Sequence, residues 1–169
     1  NLESENFIQL DKKYERITKI TAESSDENWN KIRTILGVKD KKTRQQEEIS
    51  FYSKYFKNPS THQIVKDFCK IQTERLEKGK DAEFTQEEAR AIVELLTFIL
   101  ENKNEILERE LSISVLADSK KWENFYRSKV LRIIRKSGYF DDLIENCTDE
   151  KEENKVILEE LNVYANPSY

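Results

Sequence analysis

The segment from residue 85 to residue 108, TQEEARAIVELLTFILENKNEILE, constrains the fold of this chain more than any other. Its apolar residues recur at helical spacing and cover a wide arc: Ala89, Ile92, Val93, Leu95, Leu96, Ile99, Leu100, Ile106 and Leu107. Thr85 and Glu88 have capping-box spacing, so each side chain can accept a hydrogen bond from the other residue's backbone N–H. Because so wide an apolar arc must be covered on most sides, we predict a multi-helix bundle with a long central helix over 85–108.

The rest of the chain also favours helices, because it contains few residues that break them. Only three glycines and two prolines occur among 169 residues. Between residues 3 and 20, a stripe of helical spacing predicts another helix, on Phe7, Leu10, Tyr14, Ile17 and Ile20. Leu111, Ile113 and Val115 alternate with serines, which predicts at most one short extended segment near 111–116, most simply a connector. The expected fold class is therefore all-α.

The domain organisation follows from length and from what is missing. A chain of 169 residues fits one helical domain over 1–169, divisible into N-terminal helices in 1–80 and core helices in 85–169. Methionine is absent, even at position 1, although a natural reading frame begins with one. We therefore expect the chain to be a fragment of a longer protein.

Several classes of protein lack support in this sequence. No apolar run approaches the roughly 18 residues that span a bilayer, so we expect no membrane partner. Cys69 and Cys147 have no motif spacing and are interpreted as reduced core thiols of a cytoplasmic protein. The single histidine, His62, has no cysteine or histidine partner nearby and predicts a surface or capping role rather than a metal ligand. Glycine-rich phosphate loops are absent, so we predict no catalytic residue, no bound metal and no cofactor in this segment.

The helix predicted between Asp118 and Gly138 is the one functional candidate that pattern alone provides. Its apolar stripe contains Trp122, Phe125, Tyr126, Val130, Ile133 and Ile134. Seven basic residues surround that stripe, against a single Glu123: Lys120, Lys121, Arg127, Lys129, Arg132, Arg135 and Lys136. Asp118 stands at the N-cap position, where its carboxylate can accept from free backbone N–H groups.

Two interpretations of the basic helix remain open at this point. Residues 141–160 follow it directly and hold nine acidic residues against two lysines, so the two segments could simply neutralise each other. Alternatively, the basic residues contact the phosphates of double-stranded DNA and release its counterions, which makes binding salt-dependent. The pI of about 5.3 argues against a general nucleic-acid binder but leaves room for a local patch.

Two stretches of the chain resemble a known family. The run from Glu110 to Glu123, ELSISVLADSKKWE, is similar to a pattern in JetD-like proteins of Wadjet plasmid-defence systems, roughly E-x-S-I-x-x-L-G-D-S-K-x-F/W-E. The residues that carry this likeness are Glu110, Ser112, Asp118, Ser119, Lys120 and Glu123, while Ala117 stands where the pattern has glycine. The tail 158–169, LEELNVYANPSY, resembles the segment that leads into the Toprim nuclease domain of that family, and residues 10–16 resemble an N-terminal element more loosely.

The resemblance implies a specific biological setting. JetD-like proteins are metal-dependent DNA nucleases, related to the A subunit of type VI topoisomerases, and they act on plasmid DNA with an SMC-like complex. Their acidic metal ligands lie in the Toprim domain, which on this alignment begins after Tyr169. The resemblance therefore implies a divalent metal in the parent chain but none in this segment.

Three functional hypotheses follow, in decreasing order of support. The first is a non-catalytic helical region of a DNA-cleaving defence protein, which positions DNA or mediates homodimerisation. The second is a helical adaptor domain that binds a protein partner through the 85–108 helix and has no nucleic-acid role. The third, a complete small enzyme, has the least support because the sequence offers no catalytic constellation.

Overall fold

The structure is a computed structural model that describes residues 8–13, 16–22 and 25–167. It confirms an all-α, multi-helix fold, and the chain divides into two compact units, residues 1–47 and 48–169. The α-helices are α1 (Asp26–Leu36), α2 (Lys41–Phe56), α3 (Gln63–Glu77), α4 (Gln86–Glu101), α5 (Glu108–Leu116), α6 (Arg127–Lys136), α7 (Asp141–Ile144) and α8 (Glu150–Glu160). The strands are β1 (Ile8–Lys13), β2 (Arg16–Ala22), β3 (Ile106–Leu107) and β4 (Val163–Tyr164), and a π-helical turn spans Trp122–Tyr126.

The first unit begins with a β-hairpin where the sequence predicted a helix. Strands β1 and β2 pair antiparallel from Ile8 opposite Ala22 to Lys13 opposite Arg16, so the predicted helix over 3–20 is wrong in this part. The segment RITKITA is rich in isoleucine and threonine, whose branched Cβ favours strands, and this preference outweighs a coincidental spacing of three and four. Phe7 and Tyr14, two residues of the predicted stripe, lie outside the described residues.

Helix α4 is the central element of the second unit, as predicted. Its buried residues are Ala89, Ile92, Val93, Leu95, Leu96 and Ile99, each at most 1% exposed. The predicted capping box is present, since Thr85 N donates to Glu88 Oε2 over 3.0 Å and Glu88 N donates to Thr85 Oγ1 over 3.3 Å. The helix ends at Glu101 rather than at residue 108. Asn102 ends it by donating its side-chain amide to backbone carbonyls, of Asn104 at 2.8 Å and of Leu161 at 3.1 Å.

The predicted extended segment near 111–116 is also corrected. These residues belong to α5, which buries Glu108, Leu111 and Ser112 on one side and leaves Ile113 51% exposed. The extended residues come just before it, in β3, which pairs in parallel with β4 through Ile106 opposite Val163 and Leu107 opposite Tyr164. The alternation of apolar residues at 111–115 was therefore misleading, because only Leu111 of the three is fully buried.

Three smaller expectations concern single residues. Cys69 is a free, buried thiol in the core, where burial raises its pKa to about 12, and Cys147 is free and partly buried. His62 has the predicted capping role, because its Nδ1 accepts a hydrogen bond from Ile64 N over 3.2 Å at the start of α3. Among the helices of the described residues, none is long and apolar enough to cross a membrane.

Candidate nucleic-acid interface

The basic helix starts at a tight turn that the motif residues build. Ala117 ends α5 in the left-handed conformation, with φ of 52°, at the position where the family pattern has glycine. Asp118 Oδ1 then accepts from Lys120 N over 2.8 Å and from Lys121 N over 3.1 Å, which confirms the predicted N-cap role. The backbone hydrogen bond from Lys120 is the largest cause that lowers the pKa of the Asp118 carboxyl group.

Ser112 joins α5 to the start of the basic helix. Its buried hydroxyl donates to the backbone carbonyl of Asp118 and accepts from Trp122 N over 3.0 Å. Glu110 has a capping role at the other end of α5, because its Oε2 accepts from Leu107 N over 2.9 Å. Three of the motif residues, Ser112, Asp118 and Glu110, therefore bond to backbone groups and fix local geometry. Within the described part of the chain, the side chains of Ser119 and Glu123 have no such partner.

A π-helical turn brings two donors to one buried carboxylate. Trp122 Nε1 donates to Glu108 Oε2 over 2.7 Å, and Arg127 Nε donates to the same oxygen over 2.9 Å. In an α-helix, residues five apart point about 140° away from each other, given 3.6 residues per turn. Here the backbone N–H of Arg127 bonds to the carbonyl of Trp122, five residues back, so both side chains face Glu108.

Four of the seven predicted DNA-contacting residues are already ion-paired within the second unit. Arg127 binds Glu108, as described above. Lys129 Nζ lies 2.5 Å from Glu88 Oε1, and Arg132 Nη2 lies 2.5 Å from Glu83 Oε1. Arg135 binds two residues of α8, with Nη2 2.7 Å from Glu150 Oε1 and Nη1 3.0 Å from Glu153 Oε2. The hydrogen bond from Lys129 is the largest cause that lowers the pKa of Glu88.

The origin of these carboxylates only partly matches the sequence-based interpretation. The acidic block 141–160 supplies the two partners of Arg135. The partners of the other three cations precede the basic helix in the chain, in α4, in α5 and in the loop before α4. That loop also supplies Phe84, whose ring centroid lies 5.9 Å from Lys129 Nζ and 6.0 Å from Arg132 Cζ. Most of the neutralising carboxylates therefore lie outside the acidic block 141–160.

The other three predicted contact residues are exposed, and we call them uncompensated because they form no ion pair within the described part of the chain, although the Asp118 carboxylate attracts Lys120 and Lys121 from a longer distance. Lys120 and Lys121 lie at the start of the basic helix and Lys136 at its end. Considering the described residues only, no carboxylate oxygen lies within 4.0 Å of their ammonium groups. A phosphate could approach these three lysines without displacing a carboxylate. Contact with DNA by any of the seven residues stays a prediction.

The apolar stripe of the helix is confirmed at all but one of its main positions. Trp122, Val130 and Ile134 are at most 1% exposed, and Ile133 and Tyr126 are partly buried against the core. Phe125 is 61% exposed, although the predicted stripe included it. The π-turn changes the angular position of residue 125 relative to a regular α-helix, and nothing in the spacing of the sequence signals that change.

Sequence reasoning missed the acidic partners because they are distant in the chain. Glu83 and Glu108 lie 49 and 19 residues from the arginines that they bind, and no local pattern marks them. Glu88 was recognised only as half of a capping box, yet it also binds Lys129 across 41 residues. Among the described residues, no group of three or more His, Cys, Asp or Glu side chains could hold a metal ion.

Comparisons of this chain with protein-family models, with curated proteins and with solved structures found no match. The resemblance to JetD-like proteins therefore stays a prediction that depends on the residues quoted above.

Proposed function

We propose that this chain is a non-catalytic helical region of a DNA-cleaving plasmid-defence protein, and that it positions DNA through the uncompensated lysines of the basic helix. One observation supports the family assignment. The two segments that carry the resemblance lie close together in the fold, although residues 124–157 separate them in the sequence. Strand β4 pairs with β3 immediately before the motif, and Asn166 Oδ1 accepts from Arg109 N over 3.0 Å at the start of α5.

The structural roles of the motif residues fit a non-catalytic assignment. Ser112 and Asp118 bond to backbone groups at the junction of α5 with the basic helix, and Glu110 caps the start of α5. The turn that these residues build restricts which amino acids can occupy their positions. The pattern shared with JetD-like proteins can therefore reflect a shared turn rather than a shared catalytic reaction. On this proposal, metal-dependent cleavage belongs to the Toprim domain of the parent protein, with an SMC-like complex as a further partner.

The DNA role depends on charge that the fold leaves uncompensated. Surface ion pairs contribute only about 0–1 kcal/mol, but phosphate contacts by Arg127, Arg132 or Arg135 must still replace an existing carboxylate. Phosphate contacts by Lys120, Lys121 and Lys136 do not require the loss of an ion pair. Three phosphate contacts predict weak binding that falls steeply with salt, with a slope of about −0.9 per contact.

The test uses the whole 169-residue chain and a labelled 20-base-pair duplex, with fluorescence anisotropy over a salt series. Replacement of Lys120, Lys121 and Lys136 together by alanine should weaken binding and reduce the magnitude of the salt slope by about three. The matched control replaces three other exposed lysines of the second unit, Lys54, Lys70 and Lys103. Absence of duplex binding at low salt, or an equal loss in both triple variants, would refute the DNA role.

A second candidate function, a protein-interaction domain, is favoured by a groove beside α4. The groove has a volume of about 450 Å³, and its lining residues are Tyr55, Val93, Glu94, Thr97, Phe98, Glu101, Ser114 and Val115. Grooves with an apolar floor are typical sites for an amphipathic helix of a partner. Light scattering distinguishes a homodimer from a monomer. Capture of a protein partner by this chain, together with the absence of DNA binding, would favour the second candidate.

A further inference from the structure

We infer that Phe125, together with Lys120 and Lys121, is a stacking site for an unpaired base of single-stranded DNA. The inference rests on the proposed function and adds the form of DNA that the basic helix contacts. It starts from an exposed aromatic ring in the middle of a buried stripe. Phe125 is 61% exposed, whereas the preceding stripe residue, Trp122, is 1% exposed and the following one, Tyr126, is partly buried against the core.

The π-turn explains how this ring comes to be exposed. Five residues share the turn Trp122–Tyr126, and the i to i+5 bond from Arg127 N to the Trp122 carbonyl closes it. The π-turn allows Trp122 and Arg127 both to donate to the Glu108 carboxylate. The residue that leaves the apolar stripe as a result is Phe125. π-Turns of this kind occur frequently at functional sites.

The cations beside the ring are the ones without a carboxylate partner. Lys121 precedes Phe125 by four positions, and because one turn of a π-helix contains somewhat more than four residues, the two side chains lie on about the same side of the helix. Lys129 follows Phe125 by four residues, but Glu88 neutralises it. Uncompensated positive charge therefore lies on the N-terminal side of the ring, where Lys120 is also exposed.

Two carboxylates lie near these lysines and do not neutralise them by direct contact. Asp118 uses Oδ1 to accept from the backbone N–H groups of Lys120 and Lys121, and its charge lowers the repulsion between the two lysines. Glu123 is exposed and follows Lys121 by two positions, so these two side chains point to different sides of the helix. Glu123 follows Lys120 by three positions, but these two side chains form no ion pair among the described residues.

An exposed ring beside two ammonium groups matches the chemistry of single-stranded DNA. Bases stack on aromatic side chains, and lysines contact the flanking phosphates, with little dependence on sequence. A duplex hides the faces of its bases and would use the lysines alone. A purely apolar protein surface would cover the ring but would gain nothing from Lys120 and Lys121, so the charge favours the polyanion.

The experiment compares a labelled 12-nucleotide single strand with a 12-base-pair duplex, bound to the whole chain, by fluorescence anisotropy. Phe125→Ala and Phe125→Leu should each weaken single-strand binding about tenfold or more, and Phe125→Tyr should preserve it, because leucine keeps the apolar contact but cannot stack. Duplex binding should be unchanged in all three variants. Tyr139→Ala is the matched control, because Tyr139 is an aromatic residue with a similar exposure of 62%.

The possible outcomes distinguish failure of this inference from failure of the proposed function. Duplex binding that depends on the lysines, with single-strand binding that is unchanged in Phe125→Leu, would overturn the inference and leave the function intact. Absence of binding to either DNA would overturn both. A change in association state in Phe125→Ala, measured by light scattering, with unchanged DNA binding, would show that a second copy covers the ring and would also overturn the inference. Thermal unfolding confirms that the exposed variants remain folded.

Discussion

Trp122 donates its indole N–H to Glu108 Oε2 over 2.7 Å, and this bond connects the start of α5 to the start of the basic helix. Trp122 is 1% exposed and the side chain of Glu108 is 11% exposed, so water has little access to either group. The indole N–H therefore depends on the Glu108 carboxylate for a hydrogen-bond acceptor. Arg127 supplies the positive charge that a largely buried carboxylate requires.

Replacement of Glu108 by alanine should therefore be strongly destabilising. It leaves the indole N–H without a partner and Arg127 without its counterion, so we expect a loss of about 2–4 kcal/mol in the free energy of unfolding. Glu108→Gln retains an acceptor for Trp122 and should lose less. Urea unfolding measures both effects, and Glu123→Ala, at an exposed position, should change stability by less than about 0.5 kcal/mol. Equal stability of Glu108→Ala and the wild type would contradict the role given to this carboxylate.

Ala117→Gly should stabilise the chain. Ala117 has φ of 52°, and a non-glycine residue in this left-handed region costs about 1–2 kcal/mol. Glycine removes that cost but adds about 0.5–1 kcal/mol of chain entropy in the unfolded state, so the net gain should be about 0.5–1 kcal/mol. Thermal unfolding measures it, with Ala165→Gly, at a position without positive φ, as the control. A loss of stability in Ala117→Gly would argue against the turn described here.

Stability should depend on the protonation of His62 in mildly acidic solution. Burial is the largest cause that lowers the pKa of His62 below its ordinary value of 6.5, and Glu101 opposes this shift. As the pH falls through 6.5, the unfolded chain therefore binds the proton before the folded chain does, and stability decreases. Protonation at Nδ1 also removes the acceptor for Ile64 N.

The variant His62→Asn isolates this effect. Asparagine is a good N-cap residue and does not titrate, so α3 keeps its cap. Urea unfolding between pH 5 and pH 7.5 should show a larger increase in stability with pH for the wild type than for the variant. His62 is the one histidine in the sequence, so no other imidazole contributes to the difference between the two pH profiles. Parallel pH profiles would refute the prediction.

The four ion-paired cations should differ in their contribution to stability. Arg132 and Glu83 are about 40% exposed, so their pair should contribute only about 0–1 kcal/mol, as a double-mutant cycle measures. Arg127→Ala should cost more than Arg132→Ala, because it leaves the largely buried Glu108 carboxylate without a counterion. A ranking in the reverse order would contradict this assignment. Arg127→Ala can therefore weaken DNA binding simply by unfolding part of the protein. For this variant, DNA affinity and the free energy of unfolding should be measured together.

The features that the sequence predicted well are those that depend on neighbours in the chain. The capping box of Thr85 and Glu88, the N-cap of Asp118 and the buried face of α4 all follow from spacing within a few residues. The site itself was predicted only as a set of basic residues. Its division into paired and uncompensated cations depends on Glu83, Glu88 and Glu108, which reach the basic helix only after folding.

The errors have two physical origins, an ambiguous local pattern and contacts between residues distant in the chain. The hairpin of β1 and β2 was predicted as a helix, because a short apolar stripe can fit either period. The end of α4 at Glu101 depends on Asn102, whose amide bonds to a carbonyl 59 residues away. The exposure of Phe125 depends on the bonds of Trp122 and Arg127 to one carboxylate. In the last two cases, a tertiary contact outweighed a local preference, whereas the hairpin reflects the strand preference of its own isoleucines and threonines.

The hydrogen bond from Arg109 N to Asn166 gives the C-terminal segment a mechanical connection to the basic helix. Asn166 holds the first turn of α5, Ser112 on α5 holds Trp122 N, and Trp122 begins the turn that displays Phe125. A continuous series of hydrogen bonds and helical residues thus links Asn166 to the turn that displays Phe125, so the geometry of the proposed DNA surface depends on where the C-terminal segment lies.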